Sequence, residues 1–413
     1  MRSYKKYAAR SACLCLLLGL PLAQAQESAE LQAFTNLRLF DGTGAVPVDD
    51  AVLLVRDGRV AAAGSADTVT VPAEAERIDL GGAFVMPGMV NAHGHAAEDT
   101  EHKLELFAGY GVTTVLSLGG ETEVHAALRD AQDPAAPGTA RLFIAGPIQE
   151  RYEDVEGAVA GIEQLDALNV DWVKARVMNG NMSERVYRTV IEQAHAHNLK
   201  VAAHMFTLEE TKGLLRAGLD VLAHSIRDQP VDDELLRLMH ANEACLIPTL
   251  TREVSTYVYA DRPAFFDDPF FLRGAAPADV AALSEPSAQE RYADNVEQGQ
   301  YDLAMAQRNL VAIREAGLRV AMGTDSGAFV DRFPGYFEHL ELQLMVEAGL
   351  SPQDTLVAAT GMAADCMDLD EVGTLTTGKW ADFLVIDGDP LTDIMDTTQL
   401  RDVWIAGQRL DLP

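Results

Sequence analysis

Eight short apolar segments alternate with stretches of helical periodicity through the middle of this 413-residue chain. Longer amphipathic stretches such as SERVYRTVIEQAHAHN separate the segments. Strands that alternate with helices form parallel sheets, and eight such repeats form a (β/α)8 TIM barrel. We therefore predict an α/β protein with a TIM barrel over residues 85–371. The eight predicted strands are FVMPGMVNAH (84–93), GVTTVLSLG (111–119), RLFIAGP (141–147), DWVKARVM (171–178), KVAAHMF (200–206), VLAHSI (221–226), ACLIPTL (244–250) and RVAMGTDSG (319–327).

The two ends of the chain differ from the middle in their pattern. Residues 26–84 run through short β-type segments that are separated by Gly and Asp, and no helical period is present. Residues 372–413 repeat this pattern in TLTTGKWADFLVIDGD and LRDVWIAGQRL. We infer that the two ends pair with each other and form one small β-sandwich beside the barrel.

Residues 1–25 have the features of a secretory signal peptide. Four basic residues precede the apolar run CLCLLLGLPLA, and small residues occupy the cleavage positions before Gln26. This pattern predicts a periplasmic or secreted protein. No later apolar run is long enough to span a bilayer, so we expect no membrane association after cleavage. An uncleaved membrane anchor is the alternative interpretation.

The chain is strongly acidic, with a formal net charge of −31. Nucleic acids and anionic lipid surfaces bind basic protein surface, so the charge argues against both as partners. The partner that we expect is a small-molecule substrate. Association of identical chains into a homo-oligomer is left open.

Two cysteines, Cys245 and Cys366, lie beyond the predicted cleavage site. An oxidising compartment would allow one disulfide between them, but two small buried thiols are the interpretation that we favour. No CxxC spacing is present, so the cysteines do not predict a metal site.

One connection in the predicted barrel is unusually long. Residues 251–296 separate the seventh strand from its helix and include the aromatic-rich and Pro-rich run STYVYADRPAFFDDPFF. A long connection on this side of a barrel is usually a lid or a substrate loop. We expect it to cover the mouth of the barrel.

Polar side chains stand where the predicted strands end. His93 and His95 close the first strand, and they face the same way because side chains alternate along a strand. Residues at the carboxyl ends of barrel strands converge on one mouth. Such a set of imidazoles and hard ligands suits Zn²⁺ best, with Mn²⁺, Co²⁺ or Fe²⁺ also compatible. The converging residues are His93, His95, Lys174, His204, His224 and Asp325.

These residues resemble the amidohydrolase superfamily, specifically its imidazolonepropionase-like and prolidase-like hydrolases. The resemblance covers nearly all of the chain beyond residue 25. It depends on PGMVNAHGH at the first strand, the lysine of DWVKARV, the histidines of KVAAHMF and VLAHSI, GTDSG at the eighth strand and the closing run VGTLTTGKWADFLVIDGDPL.

The resemblance implies a centre with two divalent metal ions. The two histidines of strand 1 and Asp325 would hold one ion, and the histidines of strands 5 and 6 would hold the other. Lys174, carboxylated by CO₂, would bridge them, because a carbamate is anionic whereas an ammonium would repel both ions. A metal-bridging hydroxide would attack a carbonyl, and Asp325 would be the catalytic residue that carries the proton to the leaving group. Without carboxylation, Lys174 would instead pair with a carboxylate.

The implied activity is hydrolysis of an amide C–N bond in a small substrate, such as an N-acyl amino acid or a dipeptide. Esters or lactones would use the same groups. Arginines suit a substrate carboxylate, although Arg176 is equally compatible with a structural salt bridge, and packing of the long loop would explain its tyrosines. The substrate-binding candidates are Arg176, Arg227, Arg252, Tyr257 and Tyr259.

Two positions depart from the patterns of related proteins. Asn91 stands where an acidic residue usually precedes the first histidine by two positions, and this affects the surroundings of the ligands more than the ligands themselves. Thr207 stands where imidazolonepropionase and related deaminases have a glutamate, so the binuclear interpretation is preferred. A mononuclear cyclic-amide hydrolase or deaminase is the first alternative. A catalytically inactive barrel that acts as a binding protein is the second.

Overall fold

The computed structural model describes residues 31–136 and 138–412, and the predicted signal peptide lies outside this range. The strands are β1 (Leu31–Leu39), β2 (Val48–Arg56), β3 (Arg59–Ser65), β4 (Glu76–Pro87), β5 (Met89–Gly94), β6 (Val112–Ser117), β7 (Arg141–Ile144), β8 (Val173–Arg176), β9 (Val201–His204), β10 (Val221–Leu222), β11 (Cys245–Leu246), β12 (Arg319–Val320), β13 (Phe383–Ile386), β14 (Leu400–Ile405) and β15 (Gln408–Arg409).

The helices are α1 (Thr100–Gly109), α2 (Glu123–Ala131), α3 (Val155–Ala167), α4 (Glu184–Ala196), α5 (Leu208–Arg216), α6 (Asp233–Ala241), α7 (Leu250–Ser255), α8 (Pro269–Leu272), α9 (Pro277–Leu283), α10 (Pro286–Ala293), α11 (Val296–Glu315), α12 (Tyr336–Ala348), α13 (Pro352–Ala358) and α14 (Gly361–Cys366). Within the described ranges, no helix combines the length and the apolar character that crossing a membrane requires.

Strands β5 to β12 form two parallel sheets with helices between successive strands. One sheet has the order β5-β6-β7 and the other has the order β12-β11-β10-β9-β8. Backbone hydrogen bonds also run between the two sheets: Ala92 N donates to Met322 O (3.1 Å) and Gln149 N donates to Lys174 O (2.8 Å). The eight strands therefore follow the order of a TIM-barrel-like α/β fold, in two sheets rather than in one continuous ladder.

The observed strands are shorter than the predicted ones. The fifth predicted strand covers 200–206, whereas β9 ends at His204, and Met205 is buried without belonging to the ladder. Likewise β10 ends at Leu222, and Ile226 is buried beyond it. An apolar run indicates burial, and burial continues past the last paired residue.

The first predicted strand is divided at Gly88. Phe84–Pro87 belongs to β4 and pairs antiparallel with β13, whereas Met89–Gly94 forms β5 of the barrel. A Cβ atom at Gly88 would lie 2.1 Å from Oγ1 of Thr113, so glycine allows β6 to approach at this point. The apolar pattern continues through the break, which is why the sequence predicted one strand.

The two ends of the chain meet in a seven-stranded mixed sheet with the order β15-β14-β13-β4-β1-β2-β3. Strands β1 and β4 are parallel, and β13 pairs antiparallel with β4. Phe34 and Phe383 pack edge to face with ring centroids 4.9 Å apart, and Trp404 stacks on Phe383. Both ends thus contribute to one sheet, and the two facing sheets of the predicted sandwich are not confirmed.

Short helices fill the long connection between β11 and α11. Helices α7 to α10 lie within it, together with 3-10 helices at Val258–Ala260 and Ala264–Asp267. Tyr259 is fully buried, its ring packs on Phe266 and Tyr292, and its hydroxyl donates to the carbonyl of Asp331 (2.6 Å). The prediction of Tyr259 as a substrate-binding residue is therefore wrong, because its ring and its hydroxyl are both used inside the connection.

A disulfide joins Cys245 of β11 to Cys366 of α14. The Cα atoms are 6.0 Å apart, within the range that a disulfide requires. The expectation of two buried thiols is therefore wrong. The two residue types allow the pairing, but residues 121 positions apart in sequence do not establish it without the tertiary structure.

Candidate metal centre

The fold brings the six predicted ligand residues to the carboxyl ends of the barrel strands. His93 lies in β5, Lys174 in β8, and His204 is the last residue of β9. His224 follows β10, and Asp325 follows β12. Parallel strands place their carboxyl ends at the same edge, so side chains that are far apart in sequence meet there.

Asp325 lies at the centre of this group. Its Oδ1 atom is 2.8 Å from His95 Nε2 and 3.3 Å from His93 Nε2. Its backbone N donates to the carbonyl of His93 (2.7 Å), and its φ of +59° is in the left-handed region. The ligand atoms of His93, His224 and Asp325 all lie within 4.8 Å of one another, a separation that one metal ion could bridge.

His204 and His224 form the other half of the group. Their ring centroids are 4.4 Å apart, and the His224 ring lies 4.7 Å from the His93 ring. Nδ1 of His224 is 2.8 Å from the Thr249 hydroxyl, which leaves Nε2 available for a ligand. A hydrogen bond at the second ring nitrogen is the usual support of a metal-binding histidine.

Burial keeps these imidazoles neutral. Desolvation, with a further contribution from the Lys174 charge, lowers the pKa of His93 to about 3 and the pKa of His204 to about 2. Desolvation also lowers the pKa of His224 well below its usual value. Neutral imidazole is the form that binds metal.

Two buried imidazole nitrogens, His93 Nδ1 and His204 Nε2, have no hydrogen-bond partner in the described part of the chain. An unpaired buried polar atom is costly, and a metal ion would satisfy His204 Nε2. The donor set therefore fits a divalent ion in its residue types, its protonation state and its unpaired atoms.

Lys174 is fully buried, and its Nζ atom is 3.2 Å from His93 Nε2. Among the described residues, no carboxylate lies within ion-pair distance of Nζ, and the carboxylates of Asp325 and Glu121 act on the ammonium form only through their charge. Burial lowers the pKa of Lys174 to about 7. The amine is therefore partly neutral at physiological pH, as a nucleophile toward CO₂ must be.

Arg332 is part of the site and was missed by sequence reasoning. Its Nη1 donates to Oδ2 of Asp325, and its Nε donates to the Ser255 hydroxyl (3.1 Å). Burial alone would raise the pKa of Asp325, but hydrogen bonds from His93 and His95 and the Arg332 charge outweigh it and hold the pKa well below the usual value. No motif marked Arg332, although it follows Asp325 by only seven residues.

Glu121 was also missed. It is buried, accepts a hydrogen bond from the Ser117 hydroxyl (2.5 Å) and accepts another from the backbone N of Gly119 (3.1 Å). Desolvation raises its pKa, while these hydrogen bonds and the charge of His95 act in the opposite direction. It lies just beyond β6, at the same edge of the sheet as the histidines.

Two of the predicted substrate arginines lie beside the histidines. The guanidinium carbons of Arg227 and Arg252 are 3.6 Å and 4.6 Å from the ring centroid of Phe206, whose ring contacts His204 at 4.5 Å. Both arginines bond to the same buried carboxylate, Glu253. They therefore form a cationic edge next to the second pair of histidines.

The other candidates differ in their placement. Arg176 is half exposed, with Glu150 at 3.8 Å. Tyr257 packs against Gly299 of α11, and its role as a substrate-binding residue stays a prediction. The packing of its aromatic ring explains its place in the connection. His339 is buried and bonds to Thr397 and to a backbone carbonyl, which is a structural role.

The TIM-barrel-like fold and the buried ligand cluster at its carboxyl edge define the class of barrel enzymes with a metal centre at the mouth. A family model described as the amidohydrolase family matches residues 84–410. The chain therefore belongs to the amidohydrolase family, whose members depend on metal.

The relatives agree with this assignment. The imidazolonepropionase of Deinococcus deserti is 26% identical over 406 residues, which cover 88% of this chain and 92% of the relative. The 5-methylthioadenosine/S-adenosylhomocysteine deaminase of Halobacterium salinarum is 27% identical and covers 84% and 83% of the two chains. A prolidase candidate from Bifidobacterium longum has a TM-score of 0.76 at 26% identity and covers 92% of this chain and 95% of that chain.

The predicted resemblance is thus confirmed, and the chain is a hydrolase that acts on carbon–nitrogen bonds. The interpretation as an inactive binding protein loses its basis, because each of the six predicted ligand residues lies at the mouth.

Proposed function

We propose that the chain is a secreted binuclear amidohydrolase that cleaves the amide bond of a small substrate bearing a carboxylate, such as an N-acyl amino acid or a dipeptide. The environment of Lys174 is the observation that carries the proposal: the amine is buried 3.2 Å from His93 and has no carboxylate partner among the described residues. Carboxylation would turn it into an anion that balances two cations. The ligands would be His93, His95 and Asp325 for one ion, His204 and His224 for the other, and carboxylated Lys174 for both.

In this proposal Asp325 moves the proton of the reaction. When bound, two divalent ions, of which Zn²⁺ suits the donors best, would polarise the amide carbonyl and lower the pKa of the attacking water. Asp325 would accept the proton of that water and deliver it to the departing nitrogen. Arg332 holds the second carboxylate oxygen, so one orientation of Asp325 is maintained during the transfer.

The cationic edge formed by Arg227 and Arg252 would bind the substrate carboxylate. The two guanidinium groups share Glu253, and Asp302 lies 3.6 Å from Arg227 as a second partner, so Arg252 is the less compensated of the two. A planar guanidinium binds a carboxylate with two parallel hydrogen bonds. The resemblance to a prolidase candidate supports a substrate of this kind.

This assignment is tested with pairs of substrates. Dipeptides and N-acetyl amino acids with a free carboxylate are compared with their C-terminal amides in the wild type, in Arg252→Met and in the control Arg262→Met, an exposed arginine of the long connection. Arg252→Met is expected to raise KM for the carboxylates about 10-fold or more and to leave the amides unchanged, since a hydrogen bond to a charged group contributes about 1.5–3 kcal/mol. Equal changes for both sets would contradict the assignment.

A mononuclear cyclic-amide hydrolase or deaminase is the second candidate. It is favoured by one observation, since His93, His224 and Asp325 are the group of described residues whose ligand atoms lie close enough together for a single ion. Several relatives of this chain are imidazolonepropionases. This candidate predicts one ion per chain and no modification of Lys174.

Secretion is also proposed. The basic and apolar pattern of residues 1–25 supports it, and so does the Cys245–Cys366 disulfide, because disulfides persist in oxidising compartments. Mass analysis of the protein from its native host is expected to find an amino terminus at Gln26. A terminus at Met1 would contradict cleavage.

A further inference from the structure

Asn91 connects the strand of the first two histidines to the segment that carries Asp325. It is fully buried in β5, and its Oδ1 accepts a hydrogen bond from the backbone N of His93 (2.9 Å). Its Nδ2 donates to Oε1 of Glu338 (2.6 Å) and to the hydroxyl of Thr324 (3.0 Å). One amide therefore contacts the two chain segments that supply His93, His95 and Asp325.

Glu338 is the acceptor at the centre of this network. It is fully buried in the first turn of α12, and its Oε1 atom also accepts from the hydroxyls of Thr324 (2.8 Å) and Ser326 (2.6 Å), on either side of Asp325. Oε2 has no partner, and no Lys, Arg or His pairs with the carboxylate, in the part of the chain that the structure describes. The three side chains that donate to Oε1 thus all lie in β5 or in residues 324–326.

We propose that Asn91 and Glu338 are a matched pair of positioning residues for the metal centre. An aspartate at position 91 would replace the Nδ2 donor by a second carboxyl oxygen at the 2.6 Å contact, and the hydrogen bond from the amide to Glu338 would be lost. The opposite arrangement, an acid at 91 and an amide at 338, restores a donor and an acceptor. The hydroxyls of Thr324 and Ser326 can rotate to serve either arrangement.

The test exchanges the two groups. Asn91→Asp, Glu338→Gln, the double variant and the control Glu347→Gln, an exposed glutamate of the same helix, are compared. The readouts are the melting temperature of the metal-free protein and the Zn²⁺ affinity in competition with a chromophoric chelator. Asn91→Asp is expected to lower the melting temperature by about 5 °C or more and the affinity about 10-fold or more. Glu338→Gln alone has a smaller effect, and the double variant recovers most of both losses.

The pairing would be overturned if the double variant had the same low melting temperature as Asn91→Asp. It would also be overturned if Asn91→Asp had the melting temperature of the wild type. If Asn91→Asp does not accumulate as folded protein, recovery of folded protein by adding Glu338→Gln supports the pairing and failure to recover overturns it. The affinity readout rests on the proposed function, whereas the metal-free melting temperature does not. A wild type that binds no Zn²⁺ would thus count against the proposed function while the temperatures still decide the pairing.

Discussion

Burial of individual side chains determines the chemistry of the centre. His93 and His204 cannot take up a proton near neutral pH, because desolvation lowers the pKa of each far below the physiological range. Burial lowers the pKa of Lys174 beside them from 10.5 to about 7, so its amine loses its charge near neutral pH. The two imidazoles are thus held in the form that binds a metal ion, and Lys174 is partly in the neutral form that reacts with CO₂.

The pKa of Lys174 predicts how the stability of the metal-free protein depends on pH. Between the folded pKa of about 7 and the usual lysine pKa of 10.5, the unfolded chain binds up to one more proton than the folded chain. The free energy of unfolding therefore rises with pH across this window, by at most about 1.4 kcal/mol per pH unit. Urea unfolding at several pH values in bicarbonate-free buffer measures this rise in the free energy of unfolding. Lys174→Met is expected to remove this rise, and Lys200→Met is expected to retain it. Equal slopes in the wild type and Lys174→Met would contradict the burial argument.

Arg332 is expected to act through Asp325. Arg332→Met frees the second carboxylate oxygen, so kcat should fall about 10- to 100-fold while KM changes little. Arg332→Lys keeps the positive charge but not the planar guanidinium group with its several N–H donors. It should therefore recover part of the lost kcat. Steady-state kinetics on the best amide substrate measure both effects. Unchanged kcat in Arg332→Met, or a loss that appears only in KM, would contradict this role.

At the scale of strands and helices, some features could be predicted from the sequence alone and others could not. Strand order, the helices between strands and the edge where His93 and Asp325 meet follow from apolar periodicity and from the position of polar residues at strand ends. The division at Gly88 does not, because β4 and β5 are both apolar and only the approach of Thr113 requires the glycine. The Cys245–Cys366 disulfide depends on the tertiary placement of α14, which no local pattern encodes.

The disulfide between β11 and α14 is expected to stabilise the folded protein. It closes a loop of 121 residues, so the Cys245→Ala/Cys366→Ala double variant should lose about 3–5 kcal/mol of unfolding free energy. Urea unfolding with and without reductant measures the loss. Reductant should destabilise the wild type by the same amount and leave the double variant unchanged. A wild type that is insensitive to reductant after full reduction would contradict the prediction.

At the scale of the whole molecule, the sheet formed by the two chain ends is continuous with the barrel through Gly88. Strand β4 passes directly into β5, and Gly88 N donates to the carbonyl of Asp382 (2.9 Å). The chain has a net charge of −31, whereas the edge beside His204 carries Arg227 and Arg252. Binding of a carboxylate therefore depends on these local charges, since the overall charge opposes an anionic substrate.

The number of metal ions per chain tests most directly whether the centre holds two ions bridged by carboxylated Lys174. Elemental analysis of the purified protein is made for the wild type and for Lys174→Ala, with Lys200→Ala as a control. A carbamate-bridged pair predicts about two ions in the wild type and in the control, and a loss of metal in Lys174→Ala. One ion per chain, retained in Lys174→Ala, would contradict the bridged pair and favour the mononuclear enzyme.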